Sequence, residues 1–294
     1  VVVVVGGGTM GRDVAAIARR GGFHILLVEP DAKQRESLQQ YIADSSNGSG
    51  SATPTPTVEV LASLAEVGDC GRSWTDVRMA IDCVPEVLEI KQQLFAQLAE
   101  LTSFGGNDSG TILASNSSSY PISAIMQGVC KHTHPAVWAR SMNLHFFMPA
   151  HLVPCVEVVK GTHTAERTVD AAYEMMLQCK MKPVRVNKEI AGFLGNRLQH
   201  ALLREALYLM DEGVATAEDI DTVVRWGFGL RYLGGKKKKK KKKKMMNERE
   251  RERERKKGRI LVLCVSGDRQ RDCYVHTLHT HPFACLLPIP SQQR

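Results

Sequence analysis

The chain has 294 residues and a hydrophobic fraction of 43%, enough for one large domain or two smaller ones with buried cores. It contains no run of about 18 apolar residues, so it predicts no transmembrane helix. The net charge is +8, but residues 236–259 alone carry 16 Lys and Arg against four Glu. The rest of the chain is therefore mildly acidic, and we predict neither a nucleic-acid-binding domain nor a membrane partner.

The eight cysteines are scattered along the chain and form no CxxC pair, which favours a reducing compartment. We expect a cytoplasmic protein, with mitochondrial and peroxisomal locations left open. Residue types that bind metals cluster near the end of the chain, at Cys273, His276, His279, His281 and Cys285. Because their spacing matches no standard zinc pattern, we predict no metal site.

Strand-like and helix-like patterns alternate through the first two thirds of the chain. Residues 1–5 are a continuous Val run, which is typical of a strand buried on both faces. Further strands are predicted at 24–29, 79–84, 111–114, 144–147 and 155–159, and helices at 13–20, 31–41 and 88–101. This alternation predicts an α/β fold with a Rossmann-type, mostly parallel sheet.

From about residue 190 the pattern becomes helical, and an amphipathic helix is predicted at 193–211. Thr216 and Asp219 then resemble a capping box that opens another helix. Nine consecutive lysines and a Glu-Arg alternation follow, and because neither has an apolar face to bury, this tail is predicted to be disordered. The predicted domains are a Rossmann-type domain at 1–187, the truncated start of an all-helical domain at 188–232, and a basic tail at 233–294.

The first predicted strand runs directly into the motif Gly6-x-Gly8-x-x-Gly11. Gly6 permits a tight turn, Gly8 lets the backbone approach a pyrophosphate, and Gly11 allows the following helix to pack closely on the strand. Thr9 and Met10 lie in the same turn, and we predict that they contact the same cofactor. Because the motif follows a strand and opens a helix, it is a strong indication of dinucleotide binding.

Glu29 ends the second predicted strand, 21 residues after Gly8. A carboxylate at this position accepts hydrogen bonds from the ribose 2′-hydroxyl and repels a 2′-phosphate. The sequence therefore predicts NAD as the cofactor, in preference to NADP. The alternative, in which the glycines only form a turn, requires the strand, the helix and the acid to coincide by chance.

His145 lies at the end of a predicted strand, and Glu157 follows twelve residues later inside the next one. If these strands are neighbours, the carboxylate can hydrogen-bond the imidazole, fix its tautomer and support it as a general base for a hydroxyl proton. A Glu in an apolar strand is costly unless it is paired. A purely structural His–Glu pair is the alternative that these residues by themselves leave open.

Five stretches of the sequence resemble the 3-hydroxyacyl-CoA dehydrogenase family. They are VVVVVGGGTMGRDVA, CVPEVLEIKQQLF, ILASNSSSYPI, LHFFMPAHLVPCVEVVKG and AGFLGNRLQHALLREALYLMDEGVATAEDIDTVV. The fifth is similar to the start of the family's helical C-terminal domain, and the resemblance covers about residues 1–232. It implies the oxidation of a 3-hydroxyl group to a 3-keto group, with hydride transfer to NAD.

The resemblance also implies roles for individual residues. His145 matches the family's catalytic base, and Glu157 matches the acid that orients it. Ser118 matches a serine that contacts the substrate and the nicotinamide. Asn196 matches an asparagine that helps to bind the substrate near the histidine.

Glu86 and Lys91 match cofactor contacts of the family, along the path from adenosine to nicotinamide. One position departs from the family pattern: Met148 stands where the family usually has an Asn that contacts the nicotinamide side. A thioether cannot replace the hydrogen bonds of an amide. We therefore expect an altered cofactor orientation or an altered substrate range.

The leading expectation is a 3-hydroxyacyl-CoA dehydrogenase of fatty acid metabolism. The segments NRLQHALLREAL and GFGLRY are more similar to the branch with lambda-crystallin and carnitine dehydrogenase, which implies a free 3-hydroxy acid as the alternative substrate. A catalytically impaired dinucleotide-binding protein is a further alternative. The family's helical domain normally continues beyond residue 232, so we interpret the tail as foreign to the family and expect family-like homodimerisation to suffer.

Overall fold

The structure is a computed structural model that describes residues 1–46, 56–69, 71–103, 110–129 and 135–230. The predicted basic tail and the Cys/His cluster lie outside these ranges. Val1–Ile220 form one compact unit, and a second unit begins at Asp221. The domain division predicted at 187/188 lies inside the first unit and stays a prediction. Within the described ranges, no helix combines the length and the apolar character needed to cross a bilayer.

The described strands form one sheet in the order β3-β2-β1-β4-β5-β6-β7-β8. Every neighbouring pair is parallel except β6 and β7, which are antiparallel. The predicted α/β class with a mostly parallel, Rossmann-type sheet is therefore confirmed. The strands are β1 (Val2–Val5), β2 (Ile25–Val28), β3 (Val58–Leu61), β4 (Met79–Asp82), β5 (Ile112–Ser115), β6 (Ser141–Phe146), β7 (Cys155–Val159) and β8 (Lys182–Val186).

Helices connect the strands and cover both faces of the sheet, as parallel pairing requires. They are α1 (Thr9–Arg20), α2 (Ala32–Ser46), α3 (Glu66–Asp69), α4 (Leu88–Thr102), α5 (Ile122–Ile125), α6 (Pro135–Ala139), α7 (Glu166–Gln178), α8 (Gly195–Asp211) and α9 (Ala217–Thr222). Residues 223–229 continue as a π-helical segment. The predicted helical region after the sheet is therefore confirmed.

The Val run of β1 shows how the sheet divides the core. Val2 and Val4 pack into the cluster that contains Ile17 of α1, on one face of the sheet. Val3 and Val5 pack into the other cluster, with Phe95 of α4. Alternate side chains of a strand point to opposite faces, so only a strand buried on both sides can be apolar at every position.

The sequence patterns missed the two edge strands, β3 and β8. The burial of β8 is irregular, and it carries two charged residues and Pro183. Pro lacks an N–H donor and is tolerated on an edge strand, where one side of the ladder is unpaired. Edge strands are half exposed and therefore lack the apolar run that marks the central strands.

The helix predicted from residue 193 begins two residues later, at Gly195. Gly192 and Phe193 both have positive φ angles, of 73° and 44°. A right-handed helix cannot include such residues, and the Phe193 side chain is instead fully buried. The cap predicted at Thr216 is closer to the structure, because Thr216 Oγ1 accepts a hydrogen bond from the backbone N–H of Asp219 at 3.2 Å, at the start of α9.

Phe95→Ala tests the packing of α4 on the sheet. Phe95 is 0% exposed, so we expect its truncation to lower the free energy of unfolding by about 3–5 kcal/mol, through lost burial and a residual cavity. Ile90→Ala on the same helix is the matched control, because Ile90 is 40% exposed. Urea unfolding monitored by circular dichroism gives both values, and equal losses for the two variants would contradict this packing.

Candidate functional site

The glycines at residues 6–11 are needed for two different reasons: close packing within the fold and open space beside the backbone. Gly6 has φ +102°, and a Cβ there would lie 2.6 Å from the carbonyl oxygen of Cys83. A Cβ on Gly11 would lie 1.7 Å from the carbonyl oxygen of Gly6. The fold itself therefore requires both of these glycines. A Cβ on Gly8 would meet no atom within 4 Å, so the open space beside it is available for a ligand that approaches the backbone.

Glu29 is buried beneath the same turn. Its Oε2 accepts a hydrogen bond from the backbone N–H of Gly7 at 2.7 Å, and its Oε1 accepts one from Asp31 at 2.9 Å. Each carboxylate oxygen has two lone pairs, so both can still accept a hydroxyl group of a ribose. Two backbone donors hold the charge in place beside the cavity, which is the arrangement that favours NAD over NADP.

Two adjoining cavities lie over the carboxyl ends of the strands. The larger has a volume of about 1060 Å³ and the smaller about 470 Å³. Met10, Cys83, Val84 and Met148 line both of them. Burial raises the pKa of the Cys83 thiol, so this side chain is a wall of the cavities rather than a nucleophile.

Most of the predicted site residues line one or both of these cavities. Those lining the larger one are Gly6, Gly8, Thr9, Met10 and Glu29. Those lining the smaller one are Met10, Glu86, Lys91, Ser118, His145 and Asn196. Gly11 and Glu157 line neither, because Gly11 packs against the turn and Glu157 lies behind His145. This layout has room for an extended dinucleotide, whose adenosine would lie at Glu29 and whose nicotinamide would lie towards His145.

The antiparallel pairing of β6 and β7 places His145 directly opposite Glu157. The His145 Nδ1 and the Glu157 Oε2 are 2.7 Å apart, and both side chains are almost fully buried. A carboxylate only accepts hydrogen bonds, so the proton lies on Nδ1 and Nε2 is left to act on a ligand in the cavity. The neighbouring strands that the pairing hypothesis required are therefore present.

The second oxygen of Glu157 is also satisfied. Oε1 accepts hydrogen bonds from the backbone N–H groups of Leu194 (2.9 Å) and Gly195 (2.8 Å), at the start of α8. Burial by itself would raise the pKa of Glu157, but the hydrogen bonds from His145, Gly195 and Leu194 outweigh it and hold the pKa below its usual range. The aromatic rings of Phe147 and Phe193 lie 4.8 Å and 5.7 Å from the His145 ring.

Glu86 holds the serine loop that follows β5. Its Oε1 accepts the hydroxyl of Ser117 at 2.5 Å and the backbone N–H groups of Ser118 and Ser119 at 3.1 and 3.0 Å. Burial would raise the pKa of Glu86, but the hydrogen bond from Ser117 and the nearby ammonium of Lys91 lower it on balance. Ser118 lines the smaller cavity, so Glu86 fixes the loop that carries it.

Lys91 lies on α4 with its ammonium buried between two carboxylates. Its Nζ is 2.9 Å from Asp82 Oδ2, 3.3 Å from Glu86 Oε2 and 3.2 Å from the Val84 carbonyl oxygen. These contacts engage all three N–H donors of the ammonium. Asp82, which no sequence motif marks, also accepts the Ser115 hydroxyl at 2.6 Å. The cofactor contacts predicted for Glu86 and Lys91 stay predictions, and in the structure the two residues anchor the serine loop.

Asn116 and Gln199 line the smaller cavity, although sequence reasoning did not select them. Asn116 follows β5, and its Oδ1 accepts the backbone N–H of Phe146 at 2.9 Å. Its position just past the carboxyl end of a parallel strand is a signal that could have revealed it. Gln199 lies three residues after Asn196, on the same face of α8. Only the packing of α8 shows which face this is.

Met148 lies in the loop between β6 and β7 and is 68% exposed. The loop is fastened to α1, because Asp13 Oδ2 lies 2.9 Å from the Nδ1 of His151. Met148 lines both cavities and therefore marks the boundary between the two halves of the site. The departure from the family pattern thus falls at a position that a bound dinucleotide would pass.

Comparison with known proteins identifies the kind of molecule this is. A family model for the NAD binding domain of 3-hydroxyacyl-CoA dehydrogenase matches residues 1–190, and a model for the C-terminal domain of the same family matches residues 192–234. The fold, the glycine turn and these matches define an NAD-dependent oxidoreductase. The chain belongs to the 3-hydroxyacyl-CoA dehydrogenase family, so the predicted resemblance and the predicted cofactor are both confirmed.

Several curated relatives and solved structures are similar to this chain. The lambda-crystallin homolog of Rattus norvegicus is 36% identical over 238 residues, which cover 79% of this chain and 70% of the relative. The L-carnitine dehydrogenase of a Pseudomonas species is 30% identical, over 78% of this chain and 67% of the relative. The solved structure of 3-hydroxybutyryl-CoA dehydrogenase from Escherichia coli is 30% identical, with a TM-score of 0.63, over 76% of this chain and 45% of that one.

Glu29→Ser tests how the site selects its cofactor. The substitution removes the negative charge that a 2′-phosphate would meet, so we expect the preference for NAD over NADP to fall by about tenfold or more, since a like-charge contact costs several kcal/mol. Binding of both dinucleotides is measured by calorimetry. Glu36→Ser on the exposed part of α2 is the control. An unchanged preference in Glu29→Ser would contradict the assignment.

Met148→Asn tests the departure from the family. An amide can supply a hydrogen bond that the thioether cannot, so we expect the Kd for NAD to fall by about two- to tenfold, the equivalent of one net hydrogen bond. Leu152→Asn is the matched control, since it introduces the same side chain in the same loop, where Leu152 is 71% exposed. Weaker or equal binding of NAD by Met148→Asn would show that the loop holds the cofactor differently.

Proposed function

We propose that this protein oxidises the 3-hydroxyl group of a small free 3-hydroxy acid to a 3-keto group. The observation that carries the reaction type is the buried His145–Glu157 pair, whose imidazole lines a cavity adjoining the dinucleotide site. A hydroxyl oxygen in this cavity can reach a general base on one side and the nicotinamide region on the other. These are the two groups that an alcohol oxidation requires.

The chemistry at His145 follows from its protonation. The unprotonated Nε2 takes the proton of the substrate hydroxyl as the C3–H bond breaks and the carbonyl forms. The positive charge that develops on the ring lies 2.7 Å from the Glu157 carboxylate, which stabilises it. NAD, when bound, supplies the ring that accepts the hydride from C3. Ser118 and Asn196 line the same cavity and are proposed to position the substrate oxygen.

Two observations favour a free acid as the substrate. The smaller cavity, of about 470 Å³, is towards the small end of the usual range of ligand sites, which suits a compact hydroxy acid. In addition, relatives at 30% identity or more include the L-carnitine dehydrogenase and the lambda-crystallin homologs, none of which is named for a CoA thioester.

A 3-hydroxyacyl-CoA thioester is the second candidate substrate. It is favoured by the solved 3-hydroxybutyryl-CoA dehydrogenase, which is as similar in sequence as the carnitine enzyme. Such a substrate would have to extend out of the smaller cavity, because the adenosine and pantetheine parts of CoA are much larger than an acyl group. The two candidates share the reaction at C3 and differ only in what lies beyond the carboxyl carbon.

A parallel assay of the full chain separates these candidates. NADH formation is followed with L-carnitine, L-gulonate, 3-hydroxybutyrate and 3-hydroxybutyryl-CoA, and we expect the highest kcat/KM with one of the free acids. His145→Gln should lower kcat by about 10²–10⁴-fold, the usual contribution of a general base, while the Kd for NAD stays the same. Turnover of the thioester alone would overturn the substrate class, and full activity of His145→Gln would overturn the mechanism.

A further inference from the structure

The segment Gly192–Gly195, called here the 192–195 turn, joins the sheet to α8 with an unusual backbone. Gly192 and Phe193 are consecutive residues with positive φ. This conformation is common for glycine but rare for a bulky residue such as Phe. The Phe193 side chain is nevertheless fully buried and packs near the His145 ring. Burial of this ring therefore holds the backbone of the turn in one conformation.

This conformation directs two backbone donors at the catalytic pair. The N–H groups of Leu194 and Gly195 both reach Oε1 of Glu157, at 2.9 and 2.8 Å. Oε2 of the same carboxylate is thereby left facing His145. The N–H groups of Leu194 and Gly195 lie at the start of α8. The first N–H groups of a helix have no partner inside the helix and carry partial positive charge. The Glu157 carboxylate therefore accepts N–H groups that the helix leaves unpaired, and these N–H groups hold the orientation of the carboxylate.

Gly195 packs so closely against Phe147 that there is no space for a side chain at this position. A Cβ at residue 195 would lie 2.4 Å from Cζ and 2.5 Å from Cε1 of Phe147. The φ of Gly195 is not positive, so the Phe147 ring and not the backbone conformation opposes a side chain here, and adding one requires either this ring or α8 to move. The next residue, Asn196, lines the cavity with His145. A shift of α8 at this point would therefore move Asn196 and the two donors to Glu157 together.

We propose that Gly195 is a positioning residue of the catalytic pair, which couples the first turn of α8 to Glu157 and through Glu157 to His145. This inference rests on the proposed function for its kinetic consequences, but its structural content does not. It means that the acid–base pair, although both its side chains come from the sheet, is completed only when the helical region is in place. The same two N–H groups help to lower the pKa of Glu157, as this coupling requires.

The direct test is a carboxyl titration of Glu157 by carbon-13 NMR in the full chain. The Phe147 ring packs against the His145 ring, so we expect the methyl group of Gly195→Ala to displace α8 instead of this ring. The N–H donors then retreat, and the midpoint of the Glu157 titration should move to higher pH. Gly68→Ala is the matched control, because a Cβ at this exposed glycine would meet nothing within 4 Å. An unchanged Glu157 midpoint in folded Gly195→Ala would overturn the proposal.

Kinetics provide a second readout, with the substrate that the parallel assay identifies. Gly195→Ala should lower kcat by about tenfold or more, in line with loss of about one hydrogen bond to a charged group, while the KM for NAD changes less than about twofold. The acidic limb of the kcat/KM profile should move to higher pH, because a Glu157 carboxylate that has lost N–H donors stabilises the protonated imidazole of His145 more strongly, and the protonated form cannot act as a base. A loss of activity without this movement would indicate a merely structural role and would count against the proposal.

A rescue variant guards against a simple folding defect. Phe147→Leu removes the ring carbons that a Cβ at residue 195 would meet, so Gly195→Ala should have little further effect in the Phe147→Leu background. We expect the double variant to match Phe147→Leu in kcat and in the Glu157 midpoint, and full additivity would overturn the proposal. If the wild-type chain oxidises none of the substrates, the proposed function fails, while the NMR titration still decides whether α8 positions Glu157.

Discussion

The Glu157 carboxylate is the point on which the rest of the site depends. It is buried in the sheet, where an unpaired charge is costly, and three donors from two parts of the chain meet it. One donor is the imidazole of His145 and the others are N–H groups at the start of α8. Each contact lowers the cost of burying the charge, and together they hold His145, the start of α8 and the smaller cavity in one arrangement.

A second buried charge organises the other wall of the cavity by the same logic. The Lys91 ammonium lies between Asp82 and Glu86, and Glu86 in turn gathers the serine loop. Buried ion pairs contribute little net stability, because the cost of desolvation offsets their attraction. This cluster contributes to the geometry of the site, because it holds strand β4, helix α4 and the loop with Ser118 in one arrangement. The geometry of the smaller cavity is therefore held from two sides by buried charged groups, Glu157 and Lys91.

Much of this site could be predicted because its chemistry requires motifs that are short and local in sequence. The glycine turn needs only its spacing and the strand before it, and Glu29 needs only the end of the next strand. His145 and Glu157 could be proposed as a pair, but their contact depended on two strands being neighbours. Asp82, Gly195 and Gln199 left no comparable mark. Asp82 and Gly195 acquire their roles from Lys91 and Phe147, which lie elsewhere in the chain, and Gln199 acquires its role from the packing of α8 beside the cavity, so no periodicity in the sequence reveals them.

The sequence by itself determined the Rossmann-type core, because continuous apolar runs, a glycine turn and an acid at fixed spacing are consequences of backbone geometry over a few residues. It also indicated the family and the cofactor. Only the tertiary structure decided which carboxylate oxygen faces His145, where α8 begins, and that the Lys91 ammonium is enclosed by protein groups. These features arise from contacts between residues distant in the chain, and such contacts exist only once the sheet and the helices have packed together.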